Sequence, residues 1–321
     1  FGPYVIDEWV AGDMVTLKAN PNYVNGKPAI DNVIFKVIPE SSNRLAALLD
    51  GTIHYALNLT PDQIRSLDGQ PGVRGIQTWM GMHTWGLMNN TKPPFDNKLV
   101  RKAFNHAIDK EAISETAYGG LARPWMSALP EVFPAATTPD EFPYPHDVDA
   151  AKALMAQAGY DDGFEVELLY DAANKQWETA ATLMKTQLAE IGVTVTLRAT
   201  PSGAFSTLVG DGDYEFALYN DAPILDGPNY GLTLSYKTDM YVNWVGYSNP
   251  EVDALLAEGA KILDKAERYE AHKVIQRIVM DDAPIIFAWN EAFTIGIADN
   301  IRGIHVVANN KVKLADMYFV D

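Results

Sequence analysis

The chain has 321 residues, none of them cysteine, and its 42 acidic side chains against 25 basic ones leave a net charge of −17. Disulfides, thiolate catalysis, cysteine-ligated zinc and iron–sulfur clusters are thereby excluded. So is a general nucleic-acid binder, which needs clustered Lys and Arg to neutralise phosphate. With 47% hydrophobic and 21% charged residues the composition is that of a folded globular protein, the length allows about two domains, and no apolar run approaches the roughly 20 residues of a membrane helix.

In chain order, Tyr4 to Val10 and Val15 to Ala19 read as a hairpin turned at Ala11-Gly12-Asp13, and Val33 to Ile38 as the next strand. Ser41 or Ser42 caps a helix with an apolar stripe at Leu45, Leu48 and Leu49, closed by Gly51. Ile53 to Leu57 is a strand and Pro61 to Leu67 a short helix. Val73 to Asn89 holds two strands broken near Gly81. Asp96 or Asn97 then caps a helix whose apolar residues Leu99, Val100, Ala103, Phe104, Ala107 and Ile108 share one face. From Ala122 to Pro145 the chain is rich in Pro and in large apolar side chains (Trp125, Phe133, Phe142, Tyr144), a segment that packs over a surface rather than extending into solvent.

Phe164 to Tyr170, Lys175 to Ile191, Val193 to Ala199, Ser202 to Val209 and Glu215 to Asn220 alternate strand and helix. That β-α-β-α-β order predicts an α/β fold with a parallel or mixed sheet and right-handed crossovers. Asn249-Pro250 opens a helix to about Leu263, and Asp264 with Glu267 opens another to about Asp282. Ile285 to Trp289, Phe293 to Ala298 and Ile304 to Val307 read as closing strands. No Gly/Ser tether divides the chain, so two lobes would be joined by strands.

Motifs of catalysis are missing. There is no nucleophile elbow, phosphate loop or zinc helix, and the six histidines lack metal-ligand spacing. Asp211-Gly212-Asp213 opens like a calcium loop, but Phe216 and Ala222 stand where Gly and Glu are needed, so it reads as a turn. No metal and no cofactor is expected. What the chain does offer is aromatic side chains at element ends, Trp79, Trp85, Trp125, Trp177, Trp244 and Trp289, each able either to pack in a core or to stack on a flat solute. Trp85 precedes the polar pair Asn89-Asn90, and Tyr219-Asn220-Asp221 ends a strand, where α/β sheets bind ligands.

A set of phrases runs in one order through nearly the whole chain: Gly2-Pro3-Tyr4; Asn20-Pro21-Asn22-Tyr23 with Gly26-Lys27-Pro28; Arg44-Leu45-Ala46-Ala47-Leu48; Asn90-Thr91-Lys92-Pro93-Pro94-Phe95-Asp96; Ala107-Ile108-Asp109-Lys110; Ala158-Gly159-Tyr160; Gly246-Tyr247-Ser248-Asn249-Pro250; and Asp282-Ala283-Pro284-Ile285-Ile286. In these the chain resembles the bacterial extracytoplasmic solute-binding proteins of ABC importers, family 5, the dipeptide, oligopeptide and nickel group. The resemblance implies an α/β, two-lobed, periplasmic-binding-protein-like clamshell of type II. The chain opens Phe1-Gly2-Pro3-Tyr4 without Met or leader, and the resemblance implies that it begins late. Residues 1–86 and 287–321 would be the remainder of lobe I, and 87–286 an essentially whole lobe II.

The resemblance further implies a non-enzymatic binding protein, periplasmic or extracellular and membrane-tethered, that works as a monomer, binds no nucleic acid, and delivers a small solute to an ABC permease. Its candidate ligand contacts are Trp85, Asn89, Tyr219, Asn220, Asp221, Asp226, Trp244 and Trp289. Peptide-binding relatives place an Asp where this chain has Ile224, so Asp221 or Asp226 takes over the charge that would meet a peptide ammonium. A sugar, an opine-like compound or a metal chelate is the alternative solute. A chemosensory receptor subunit and an α/β hydrolase are the alternative roles.

Overall fold

A computed structural model describes residues 2–221, 227–307 and 311–320, without the side chains of Met80, Gly81 and Asp221. The chain divides into two compact units, Phe1–Met80 with Ala292–Asp321, and Gly81–Glu291. It passes from one to the other inside strands.

The first unit begins with β1 (Tyr4–Val10), β2 (Met14–Ala19) and β3 (Asn32–Lys36), an antiparallel sheet in which Trp9 faces Val15 and Val15 faces Phe35. Helix α1 (Ser41–Leu49) follows with Glu40 at its N-cap and no side-chain cap bond, so neither serine caps it. After β4 (Tyr55–Leu57), Thr60 and Gln63 form a capping box on α2 (Pro61–Ser66). Strand β5 (Val73–Met88) then leads into the second unit as one 16-residue strand. The break expected at Gly81 does not occur. A tight hairpin turn needs two residues able to take positive φ, and Gly81 stands alone between the β-favouring runs Gln77-Thr78-Trp79 and His83-Thr84-Trp85.

In the second unit α3 (Lys98–Ala107) is capped by Asn97, and α4 (Lys110–Tyr118) by Asp109, with Gly119 in the left-handed conformation at its end. Sequence periodicity missed α4 because it is only nine residues long. The Pro-rich segment includes β6 (Ala122–Pro124) and packs down as its apolar side chains require, burying Trp125, Phe133 and Tyr144. After α5 (Val148–Gln157), the alternation resolves into β7 (Phe164–Asp171), α6 (Lys175–Ala189), β8 (Val193–Thr200), α7 (Ser202–Gly210) and β9 (Phe216–Asp221). Helix α6 buries Trp177, Ala180, Ala181, Met184 and Leu188, the spacing of one helical face. Helices α8 (Pro228–Tyr236), α9 (Pro250–Gly259) and α10 (Lys265–Asp282) lead to β10 (Ile285–Ala298). The first of these was unforeseen, because Gly227-Pro228 reads as a turn when Pro is in fact at N1.

The sheet of this unit is mixed, as the alternation predicts. β7 runs parallel to both β8 and β9, β9 is antiparallel to β5, and β6 pairs antiparallel with the start of β10. Gly86 lets β10 approach β5 closely, since a Cβ there would lie 2.8 Å from that of Ile286. Strand β10 is continuous through Asn290-Glu291, where two strands were expected. Its later half pairs with β4 in the first unit, with Ile295 opposite Leu57, and buries Phe293, Ile295 and Ile297 with Ile301 and Met317. The short strands β11 (Ile301–Arg302), β12 (Val306–Val307), β13 (Lys311–Val312) and β14 (Tyr318–Phe319) complete that unit. No helix among the described residues is long and apolar enough to cross a membrane.

Candidate functional site

Two features of the second unit stand out, an aromatic cavity and a carboxylate held by neutral donors. Both are built on the β5–β9 pair. Residues directly opposite in an antiparallel pair share a face. Trp85 is opposite Tyr219 and His83 opposite Asp221, while Thr84, pointing to the other face, is opposite Asn220.

On the first face Trp85 stacks on Trp125, with ring centroids 6.1 Å apart and planes 12° from parallel, and His83 packs 4.1 Å from the Trp125 ring. Tyr219 meets the edge of Trp244 at 5.8 Å, and the Tyr214 hydroxyl donates to the Trp244 carbonyl at 2.7 Å, which fixes that segment. His83, Trp85, Tyr219 and Trp244, with Leu129 and Tyr241, line a cavity of about 200 Å³. No Asp, Glu, Lys or Arg is among the described lining residues. The indole Nε1 atoms of Trp85 and Trp244 are buried with no hydrogen-bond partner. A buried, unsatisfied donor costs about 1–3 kcal/mol. The aromatic and aliphatic lining of the cavity suits an apolar or planar group.

On the second face Glu291, at the end of the unit on β10, is half-buried. Its Oε1 accepts from Thr84 Oγ1 at 2.5 Å, from the Tyr118 hydroxyl at 3.2 Å and from Trp177 Nε1 at 3.4 Å. Burial, and after it the Glu291 charge, pushes the Tyr118 hydroxyl well above the ordinary tyrosine range, so Tyr118 stays a neutral donor.

The residues singled out in the sequence separate accordingly. Trp85, Tyr219 and Trp244 come together in the cavity. Asn220 lies across from Thr84, on the Glu291 side. Trp289 is fully buried, 5.5 Å from the Tyr118 ring, and does not line the cavity. Asn89 is buried with its amide committed: Nδ2 donates to the carbonyls of Gly212 and Tyr214, both at 3.1 Å, and Oδ1 accepts from the Thr91 hydroxyl at 2.7 Å. Asp226 and the Asp221 side chain lie outside the described residues, as does Ile224.

Sequence reading missed His83, Tyr241, Thr84, Tyr118 and Glu291. The signal for His83 was its i, i+2 spacing from Trp85 on a strand. The signal for Glu291 was a lone charge inside Ile285–Ala298. Among the described residues no group of three His, Asp or Glu side chains is placed to hold a metal ion.

The model of the bacterial extracellular solute-binding proteins, family 5, middle region, matches residues 1–242. The glutathione-binding protein GsiB of Pectobacterium atrosepticum is 28% identical over 325 residues, spanning 98% of this chain and 63% of its own length. Among solved structures, an ABC transporter substrate-binding protein of Listeria monocytogenes superposes with a TM-score of 0.87 at 27% identity, over 100% of this chain and 67% of that one. The periplasmic binding protein DppA of Helicobacter pylori, in complex with the peptide STSA, superposes with a TM-score of 0.88 at 24% identity, over 99% and 62%. The chain thus spans less than two thirds of the length of its curated relatives, and its fold is that of these binding proteins.

Proposed function

The chain belongs to the bacterial extracellular solute-binding proteins of family 5, and from that premise we propose that it is the solute-binding component of an ABC importer, capturing a small peptide or peptide-like solute and passing it to a membrane permease. The observation that carries this reading is the cavity of Trp85, Tyr219 and Trp244, preformed and aromatic. The relatives' own names add support, since one binds glutathione and another is complexed with a tetrapeptide. The unit Gly81–Glu291 is read as lobe II, and the unit Phe1–Met80 with Ala292–Asp321 as the remainder of lobe I. Ligand contacts are assigned to Trp85, Tyr219, Trp244 and Asn220, with Asp221 or Asp226 as a further acidic contact. Trp289 acts from behind by packing on Tyr118. The protein is read as a monomeric carrier without catalytic activity, working outside the cytoplasmic membrane and tethered to it.

The test is a thermal-shift screen of the full chain against peptides, oligosaccharides and metal chelates. A ligand at a hundred times its Kd stabilises the folded state by about 2.7 kcal/mol, which shifts the melting temperature measurably. Peptides raising it, with the other classes silent, is the expected result. A rise with oligosaccharides or chelates alone overturns the peptide assignment, and no rise with any class overturns the carrier reading.

A further inference from the structure

Two walls of the aromatic cavity are tied to α10 from behind. Helix α8 lines the cavity with Tyr230, Gly231, Leu234 and Ser235, and the Pro-rich segment lines it with Leu129 and Phe133. The walls fit closely: a Cβ on Gly231 would lie 3.3 Å from Leu129 Cδ2, and the Tyr236 hydroxyl donates to the Ala128 carbonyl at 3.1 Å. Gln276 of α10 holds the Pro-rich wall, accepting from the Ser127 hydroxyl at 2.9 Å and donating to the Ala135 carbonyl at 2.6 Å. One turn earlier His272 holds the other wall, its Nε2 donating to Oδ1 of Asn229 at 3.3 Å in the first turn of α8.

Of these two ties only His272 can titrate near neutral pH. The residue is fully buried and its Nδ1 has no hydrogen-bond partner. Helix α9 meets the ring with Gly259, where a Cβ would lie 3.8 Å from Cδ2, and the charge that reaches it is that of Arg268 on its own helix. A neutral imidazole leaves one acceptor idle in this setting. An imidazolium would bury a second N–H without an acceptor, near a like charge. Burial, and after it Arg268, accordingly hold the ring below the ordinary histidine range. The proton is taken up more readily where the ring reaches water, and that requires the contact with Asn229 to part.

We propose that the His272–Asn229 contact is a proton-sensitive latch on α8: it fixes this wall of the cavity while the ring is neutral and releases it in acid. His272 is then a positioning residue. That its release also loosens the hold on a solute rests on the proposed carrier function; the latch itself does not.

The experiment is hydrogen–deuterium exchange of the α8 amides in the full chain at pH 7.5 and 5.5, each normalised to the unstructured rate, for the wild type, H272Q and N229A. An opening that returns the ring to its unfolded pKa of about 6.5 is favoured by up to about tenfold more at the lower pH. Protection of α8 in the wild type should fall several-fold, up to that limit. His272→Gln keeps an N–H donor near the position of Nε2 but takes no proton, so its α8 protection should be equal at the two pH values. Asn229→Ala removes the acceptor without altering the buried ring, so α8 should already be less protected at pH 7.5. Equal protection of wild-type α8 at both pH values overturns the latch. A fall kept in H272Q assigns the acid response to another group and overturns it too, as does unchanged α8 protection in N229A at pH 7.5. No solute is needed, so each of these outcomes leaves the carrier reading to the thermal-shift screen.

Discussion

Trp85 and Tyr219 face each other across the antiparallel β5–β9 pair, and their rings open onto the same cavity although 134 positions separate them in sequence. Their roles are unequal. Trp85 is 4% exposed and stacked on Trp125, so it is both core and lining. Trp244, half-buried, is chiefly lining.

That inequality predicts different outcomes for the two tryptophans. Trp244→Ala should weaken solute binding by about 1–3 kcal/mol with little change in melting temperature. Trp85→Ala should weaken binding similarly and also destabilise the fold by about 3–5 kcal/mol. Calorimetric titration beside a denaturant melt separates the two. Unchanged affinity in Trp244→Ala removes that ring from the site.

Asn89 should behave as a structural residue. Asn89→Ala leaves the Tyr214 carbonyl without its side-chain donor and the Gly212 carbonyl with only Lys92 Nζ, so stability should fall by about 1–3 kcal/mol while the folded fraction keeps its affinity. A drop in affinity at intact stability would return Asn89 to the set of ligand contacts.

Lys110 begins α4 fully enclosed, its Nζ over the Phe142 ring at 4.2 Å and without a hydrogen-bond partner. Burial pushes its amine down to about 7. Between pH 7 and the unfolded value near 10.4 the unfolded chain binds the extra proton, so stability rises with pH across that window, by at most about 1.4 kcal/mol per pH unit. Lys110→Met should be more stable than wild type at pH 7 and should show a flatter profile from pH 7 to 10. Chemical denaturation at stepped pH measures both, and parallel profiles would show that the amine stays charged when folded.

Asp282 predicts the opposite limb. Burial raises its carboxyl, but Lys98 at 2.7 Å, Tyr247 at 2.6 Å and Asn249 at 2.7 Å more than offset that and hold it below the usual carboxylate range. Its stabilisation is fully present above the unfolded pKa of about 3.9 and lost as pH falls through the lower folded value. Asp282→Asn should cost about 1–3 kcal/mol at neutral pH, and the gap from wild type should close under acid. A gap that is constant from pH 7 to 3 would show that the charge contributes nothing.

Much of the architecture was determined by local sequence. The β-α-β-α-β alternation from Phe164 to Asn220, the caps at Asn97, Asn249 and Asp264, and the packing of the Pro-rich segment all follow from periodicity and capping chemistry within a few residues. The ordered phrases from Gly2 to Ile286 likewise pointed to the solute-binding family, and the aromatic ligand candidates could be named one by one. Tertiary structure alone decided which of them meet. Thr84 and Glu291 are 207 positions apart, Tyr118 and Glu291 173, and Trp177 and Glu291 114. Side-chain direction on a strand depends on register, and register is set by pairing with distant strands. For the same reason Gly81 and Asn290-Glu291, which look like breaks when read locally, are carried through by partners on neighbouring strands. Asn89, polar and well placed in sequence, is committed to carbonyls that only folding brings to it.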